Sequence, residues 1–153
     1  LFVPILLLLT AFIGACAGST GGGIKVIRTL VLAKQSAGEI TKLIHPNAVI
    51  SIKLGKKAIS PRIAESVWGF FSIYVIVFII LFMFLLAQGN DFITSFSAVG
   101  ATLNNLGPGL GDVANNYQSL NDYSKIGLSI AMILGRLEIF TLLVLFTPAF
   151  WKK

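Results

Sequence analysis

The hydrophobic positions fall into blocks of distinct length and period. Val67 to Ala87, VWGFFSIYVIVFIILFMFLLA, is 21 residues without a charge. As a helix it is about 31 Å long, against a bilayer hydrocarbon core of about 30 Å. Ser60 and Pro61 supply a cap and a first-turn proline ahead of it, and Gln88-Gly89-Asn90 closes it. The pattern predicts a membrane-spanning helix over 61–88. A second span runs from about Ile126 to Trp151 and ends at Lys152-Lys153, predicting a helix over 124–151 that carries Arg136 and Glu138 near its middle.

Other blocks are shorter. Phe2 to Ile13 is apolar but only 12 residues, about 18 Å, too short to span. It runs into GACAGSTGGGIK, with Gly14, Gly18, Gly21, Gly22 and Gly23 close together, before Val26 to Ala33 resumes a helical pattern. Lys25, Arg28 and Lys34 can snorkel to the cytoplasmic surface. The reading is two half-helices joined by an irregular glycine stretch inside the membrane. In the linker up to residue 60, Ile50-Ser51-Ile52-Lys53-Leu54 alternates ahead of Gly55-Lys56, suggesting a short hairpin, while Gly38 and His45-Pro46-Asn47 read as breaks.

Composition narrows the class. Of 153 residues 56% are apolar and 12% charged, and the mean hydropathy is +0.88. A soluble domain carries about twice that charge. Disorder is excluded by the apolar content, and a disulfide-stapled module by the single cysteine, Cys16. No initiating Met is present and Leu1 falls inside an apolar run, so the expectation is a fragment of a longer membrane protein.

The net charge of +6 lies entirely between residues 25 and 65, where eight Lys and Arg face Glu39 and Glu65. Residues 66–124 contain no Lys or Arg. Cytoplasmic loops are enriched in Lys and Arg, so 25–65 should be cytoplasmic and 89–124 exported. Apolar residues interleave with the lysines between two spans, which fits a membrane-lipid boundary and argues against a nucleic-acid partner. Parity then constrains residues 91–123. If 67–87 runs outward and 126–151 returns, the uncharged stretch 92–111 starts and ends outside. DFITSFSAVGATLNNLGPGLGD becomes a re-entrant hairpin, a short helix descending and an extended strand climbing back. Such backbone is tolerated at membrane depth only when buried in protein or lining a water-filled cavity.

Asn104-Asn105-Leu106-Gly107-Pro108-Gly109-Leu110-Gly111 carries the candidate chemistry. A dehydrated K⁺ needs oxygen ligands that replace its hydration shell, and backbone carbonyls of an extended, glycine-containing segment supply them. A helix ending at Leu103 or Asn104 would aim its partial negative charge at the same place. An exported Gly- and Asn-rich turn fits these residues alone equally well; parity and the flanking spans favour the pore.

Rival chemistries fare worse. Gly23-Ile24-Lys25-Val26 lacks the Gly-Lys-Ser/Thr ending of a phosphate-binding loop. A hydrolase at Ser19 would need a base, and the single histidine, His45, lies in the basic linker. A lipoprotein signal ending at Cys16 lacks a charged start, and Cys16 reads as a small packing residue. No enzymatic function is expected. An arginine at mid-membrane costs roughly 2.5–3.5 kcal/mol unless it meets a cavity or partner. Arg136 could therefore face the pore, repelling K⁺ and bonding carbonyls of the glycine stretch, or form a salt bridge to another part of the protein. Glu138 lies about 200° around the helix from it and reads as a helix or subunit contact. Asp91 reads as a helix N-cap, and Asp112 and Asp122 as outer charges that mildly concentrate cations.

STGGGIKVIR, HPNAVISIKLG, ATLNNLGPGLGD and GRLEIFTLLVLFTPAFW together resemble the C-terminal part of a Trk-type potassium uptake subunit of the Trk/Ktr/HKT superfamily. The resemblance runs the whole length. It implies an all-α membrane protein, a fragment of a four-repeat potassium-channel-like pore. Residues 1–36 would be the broken inner helix of the third repeat with its intramembrane loop at 14–23, and 37–60 the basic cytoplasmic linker. Residues 61–153 would be the fourth repeat: outer helix 61–88, pore helix and filter 91–111, inner helix 124–151. By the same resemblance Asn104, Asn105, Leu106, Gly107 and Pro108 form the selectivity filter, with K⁺ at Asn105, Leu106 and Gly107. Pro108 stands where potassium channels carry tyrosine, so the buttressing of the filter must differ. Gly18, Ser19, Thr20, Gly21, Gly22, Gly23 and Arg136 would form the gate. K⁺ is then the transported ion, moved by a channel-like or symport mechanism without a covalently bound cofactor. A homodimer, a cytosolic nucleotide-binding regulatory subunit and a bacterial cytoplasmic membrane location are also implied. A secondary transporter with discontinuous helices is the alternative from the residues themselves.

Overall fold

The computed structural model describes residues 2–14, 24–47, 53–54 and 57–137. Helix α1 is Phe2–Ile13 and α2 is Val26–Ile44. A two-stranded antiparallel hairpin follows, β1 (Lys53–Leu54) and β2 (Lys57–Ala58), with Lys53 opposite Ala58. Then come α3 (Pro61–Ala87), α4 (Phe92–Leu103), a 3₁₀ turn (Gly111–Val113) and α5 (Asp122–Arg136).

Helix α3 starts as its sequence dictates, with Pro61 in the first turn after Ser60. The Ser60 hydroxyl makes no cap bond; its carbonyl accepts from Ile63 and Ala64 instead. One stripe of α3 is buried, through Ala64, Val67, Phe70 and Tyr74, at the three- and four-residue spacing of a helix face. Away from that stripe large apolar side chains stand uncovered, with Ile76, Ile80 and Met83 each more than half exposed. α3 is the one helix among the described residues long and apolar enough to cross a membrane. An apolar surface on the side facing away from the protein is what lipid rewards and water penalises.

Helix α4 has the opposite character. From Thr94 to Leu103 every residue but Phe96 is buried, although four of them are Ser or Thr. Its depth follows from its neighbours. Asn90 Nδ2 donates to the Leu85 carbonyl (2.9 Å) and to Ser124 Oγ (3.1 Å), so α3 ends where α5 begins and α4 starts beside both. α4 ends beside Tyr74 and Gly135, each thirteen residues along its helix from that common end, or about 20 Å deep. The chain then climbs back along α4 to Val113. The expected short helix down and irregular strand up is therefore the observed architecture.

Two apolar clusters hold this arrangement. Phe70, Tyr74, Leu103, Ala131 and Ile24 form the deeper one, and Leu85, Ala98, Val99, Val113, Leu120 and Leu128 the one nearer the common end. An aromatic ladder ties α1 to both: Phe12 meets Phe78 edge-on at 5.6 Å, and Phe78 meets Phe96 at 5.3 Å. α2 packs on the start of α3 through Val31, Ala64 and Val67, with the Arg28 guanidinium 4.2 Å from the Phe70 ring centre.

Two expectations change. Gly38 does not break the chain: α2 runs through it to Ile44, well into the stretch read as linker. One glycine costs a helix only about 1 kcal/mol. It is outweighed by the amphipathic pattern of α2, the Glu39–Lys42 pair at 2.8 Å and the Thr41 hydroxyl bonded to the Ala37 carbonyl. The break falls at His45, where Pro46 follows. The last helix begins at Asp122 rather than 124, and among the described residues it ends at Arg136; its expected continuation to 151 lies outside them. The expected hairpin is present as Lys53–Leu54 paired with Lys57–Ala58, tied to α2 by Lys34 Nζ donating to the Lys53 carbonyl at 2.7 Å, while residues 50–52 of the alternation lie outside the described residues.

Candidate functional site: the turn at the end of α4

Helix α4 opens with the cap its sequence announces, Asp91 accepting from the Ile93 amide at 3.2 Å. Its other end is more specific. The Leu106 amide donates to the Ala101 carbonyl (2.8 Å) and the Asn105 amide to the Thr102 carbonyl (3.1 Å). This pair of bonds is the Schellman closure, which needs a left-handed residue at the position after the cap. Asn105 takes it at φ +54. Asparagine tolerates that region better than other residues with a Cβ.

Asn104 is the cap itself, and its side chain is committed twice. Its Nδ2 donates to the Gly100 carbonyl at 2.7 Å, and its Oδ1 accepts from the Tyr74 hydroxyl at 3.0 Å. Asn105 Nδ2 reaches the Met132 carbonyl of α5 at 3.4 Å. The two asparagines thus act through their side chains as brackets between α3, α4 and α5. Whatever they offer an ion comes from the backbone.

Past the cap the chain is extended and gripped from its α4 side. Ser97 Oγ accepts from the Leu110 amide (2.8 Å) and lies 3.0 Å from the Leu110 carbonyl, to which it can donate. Thr94 Oγ1 accepts from the Asp112 amide at 3.3 Å, and the Gly109 amide donates to the Val113 carbonyl at 3.1 Å. Two of the polar residues buried along α4, Thr94 and Ser97, are therefore rear supports of the returning strand, while Thr102 Oγ1 bonds back to the Ala98 carbonyl of α4 itself. Gly107 takes φ +102, a conformation that excludes ordinary side chains. Its carbonyl accepts from the Tyr117 hydroxyl at 2.6 Å. Among the described residues no hydrogen bond reaches the carbonyls of Asn104, Asn105, Leu106 or Pro108. The oxygens of Asn104 and Asn105 follow directly on the carbonyl end of α4, where the helix dipole is negative.

Of the sequence-predicted residues, Asn104, Asn105, Leu106, Gly107 and Pro108 form one continuous turn beneath α4. Arg136 sits one residue beyond Gly135, in the last turn of α5, and is exposed. Gly18, Ser19, Thr20, Gly21, Gly22 and Gly23 lie outside the described residues, as does Glu138. Sequence reasoning missed Ser97, Tyr117 and Gly135. Ser97 was legible in principle as one of the four Ser and Thr residues between Thr94 and Thr102, in a stretch without charge. Tyr117 and Gly135 carried no local signal.

The family model for TrkH, described as a cation transport protein, matches residues 2–153. The chain belongs to the TrkH family. It is 60% identical over 153 residues to the Trk system potassium uptake protein TrkH of Escherichia coli (strain K12), covering 100% of this chain and 32% of that protein. The Trk system potassium uptake protein TrkG of the same organism is 46% identical over 149 residues, 97% of this chain and 31% of that protein. In three dimensions the chain is similar to the crystal structure of the potassium transporter TrkH from Vibrio parahaemolyticus, with a TM-score of 0.90 and 56% identity over 99% of this chain and 32% of that one. The chain spans about a third of the length of these TrkH-family relatives.

Proposed function

We propose that this segment contributes one quarter of a potassium-selective pore and part of its gate to a longer membrane transporter that takes up K⁺. The observation that carries this reading is the turn at the end of buried helix α4, where among the described residues the carbonyls of Asn104, Asn105, Leu106 and Pro108 have no hydrogen-bond partner, about 20 Å from the common end of α3 and α5. Uncharged oxygens replace a hydration shell without holding the ion too tightly to leave. The relatives' names, potassium uptake proteins of the Trk system, support the choice of ion.

In this reading the backbone oxygens around Asn105, Leu106 and Gly107 take K⁺, while Asn104 and Pro108 bound the filter. Residues 18–23 and Arg136 obstruct the path below it. Arg136 follows immediately after the residue that touches the base of the turn, which suits a charge repelling cations there. The basic stretch 25–65 faces the cytoplasm and meets lipid headgroups and a cytosolic nucleotide-binding regulator, and the complete transporter is a homodimer. Flux is inward, with or without a coupled ion.

The test is K⁺-limited growth of an uptake-deficient host carrying the full-length transporter. Rescue by the unaltered protein, with K⁺ over Na⁺ preference lost on Gly107→Ala, is expected. Rescue with preference unchanged in that variant removes Gly107 from the filter. Arg136→Ala should raise flux; equal or lower uptake at normal expression would leave Arg136 a structural residue only.

A further inference from the structure

The peptide joining Gly107 to Pro108 has a single polar handle. Proline carries no N–H, so no acceptor can fix this peptide plane from its nitrogen side. Its neighbours are held otherwise: the amides of Asn105 and Leu106 by the end of α4, that of Gly109 by Val113, that of Leu110 by Ser97. The proline ring fixes its own φ, so the freedom left to this plane is rotation about Gly107 ψ, where no Cβ stands in the way. Gly107 also has open space where a Cβ would stand, so packing does not restrain it. What the Gly107 carbonyl does have is the Tyr117 hydroxyl at 2.6 Å.

Tyr117 is well placed to hold still. It follows the 3₁₀ turn, is half-buried, and packs on the cluster containing Leu120 and Leu128. Its ring forms one wall of a cleft of about 190 Å³ shared with Thr102, Lys125 and Ser129. The hydroxyl thus reaches the turn from the connection between α4 and α5, where the ring is packed on that cluster. A carbonyl oxygen has two lone pairs, so this bond leaves one for a cation.

We propose that Tyr117 is a positioning residue for ion selection, its hydroxyl fixing the Gly107–Pro108 peptide plane and thereby where the Gly107 oxygen stands relative to a dehydrated cation. The inference rests on the filter reading above and assigns the buttress that Pro108 cannot provide. Without the hydroxyl the plane tilts about Gly107 ψ, and the spacing that suits K⁺ is no longer imposed.

The test uses the full-length transporter in lipid vesicles, measuring K⁺ and Na⁺ uptake for wild type, Tyr117→Phe, Gly107→Ala and the exposed control Tyr123→Phe, with melting temperature recorded for each. Losing one net hydrogen bond predicts a fall in the K⁺ over Na⁺ ratio of about 2- to 12-fold for Tyr117→Phe, with Tyr123→Phe unchanged. If Gly107→Ala lowers the ratio and Tyr117→Phe does not, the proposal is overturned and the filter reading stands. An unchanged ratio in both overturns the two together. A fall in uptake of both ions at constant ratio reduces Tyr117 to a structural role and also overturns it. Should Tyr117→Phe fail to fold, 3-fluorotyrosine at 117 keeps the ring and strengthens the donor. The ratio is then expected to hold or rise, and a fall would sink the idea.

Discussion

Gly135 of α5 lies directly against the carbonyl oxygen of Leu103, the last residue of α4. A Cβ there would strike that oxygen and come within 2.8 Å of Asn105 Nδ2. The contact is backbone against backbone, so neither side can yield by changing a rotamer. It is also the point where the proposed gate residue Arg136 adjoins the base of the proposed filter.

Gly135→Ala should therefore destabilise the transporter by about 1–3 kcal/mol, the usual cost of overpacking. Asn105 is displaced with α5, so K⁺ preference should fall as well. Melting temperature and the K⁺ over Na⁺ uptake ratio check the two effects separately.

At Gly107 the obstacle is conformation rather than space, because nothing stands within 4 Å of a Cβ while φ is +102. Gly107→Ala should cost about 1–3 kcal/mol of backbone strain. D-alanine placed there by semisynthesis favours positive φ and should restore stability. Equal destabilisation by both forms would show that strain is not the cause.

Asn105 offers the complementary case, a residue with a Cβ held at φ +54. Asn105→Gly should hold or slightly raise stability, whereas Asn105→Ala should lose about 1–2 kcal/mol. Thermal melts of the two variants against wild type give the comparison.

Ser97 is buried and serves both polar groups of Leu110. Ser97→Ala leaves a partly buried amide without its partner, a loss of about 1 kcal/mol. Amide exchange at Leu110 should quicken in this variant while exchange within α3 stays unchanged.

Burial raises the Tyr117 phenol above its ordinary value, so it remains a donor through neutral and mildly alkaline pH. The sign follows from the raised value. Its contribution is fully present below the unfolded value near 10 and is lost as pH climbs from there through the folded one. The difference in ultraviolet titration between wild type and Tyr117→Phe isolates this group; ionisation below pH 10 would contradict its burial.

How far the chain was legible depends on the range of the forces involved. α3 and the cap at Asp91 are local matters of hydropathy and first-turn chemistry, and they read directly. The short helix and returning strand of 92–113 were legible because an apolar helical stretch gives way there to Asn, Gly and Pro. Gly38 misled because a lone glycine weakens a helix less than the surrounding pattern strengthens it. Tyr117 and Gly135 could not be found that way. Their partners Gly107 and Leu103 lie 10 and 32 positions away, and neither residue type names its partner without the fold.

Among the described residues, every hydrogen bond that shapes residues 104–113 begins and ends between Tyr74 and Met132, and those fastening the strand to α4 span only 13 to 18 positions. Closing loops of that length carries a small entropic cost, which grows only slowly with length. The turn can accordingly take its shape from contacts within this one stretch, without needing distant segments to dock on it first. Assembly then becomes the docking of parts already formed, and a defect at Ser97 or Gly135 would show first as slow or failed insertion.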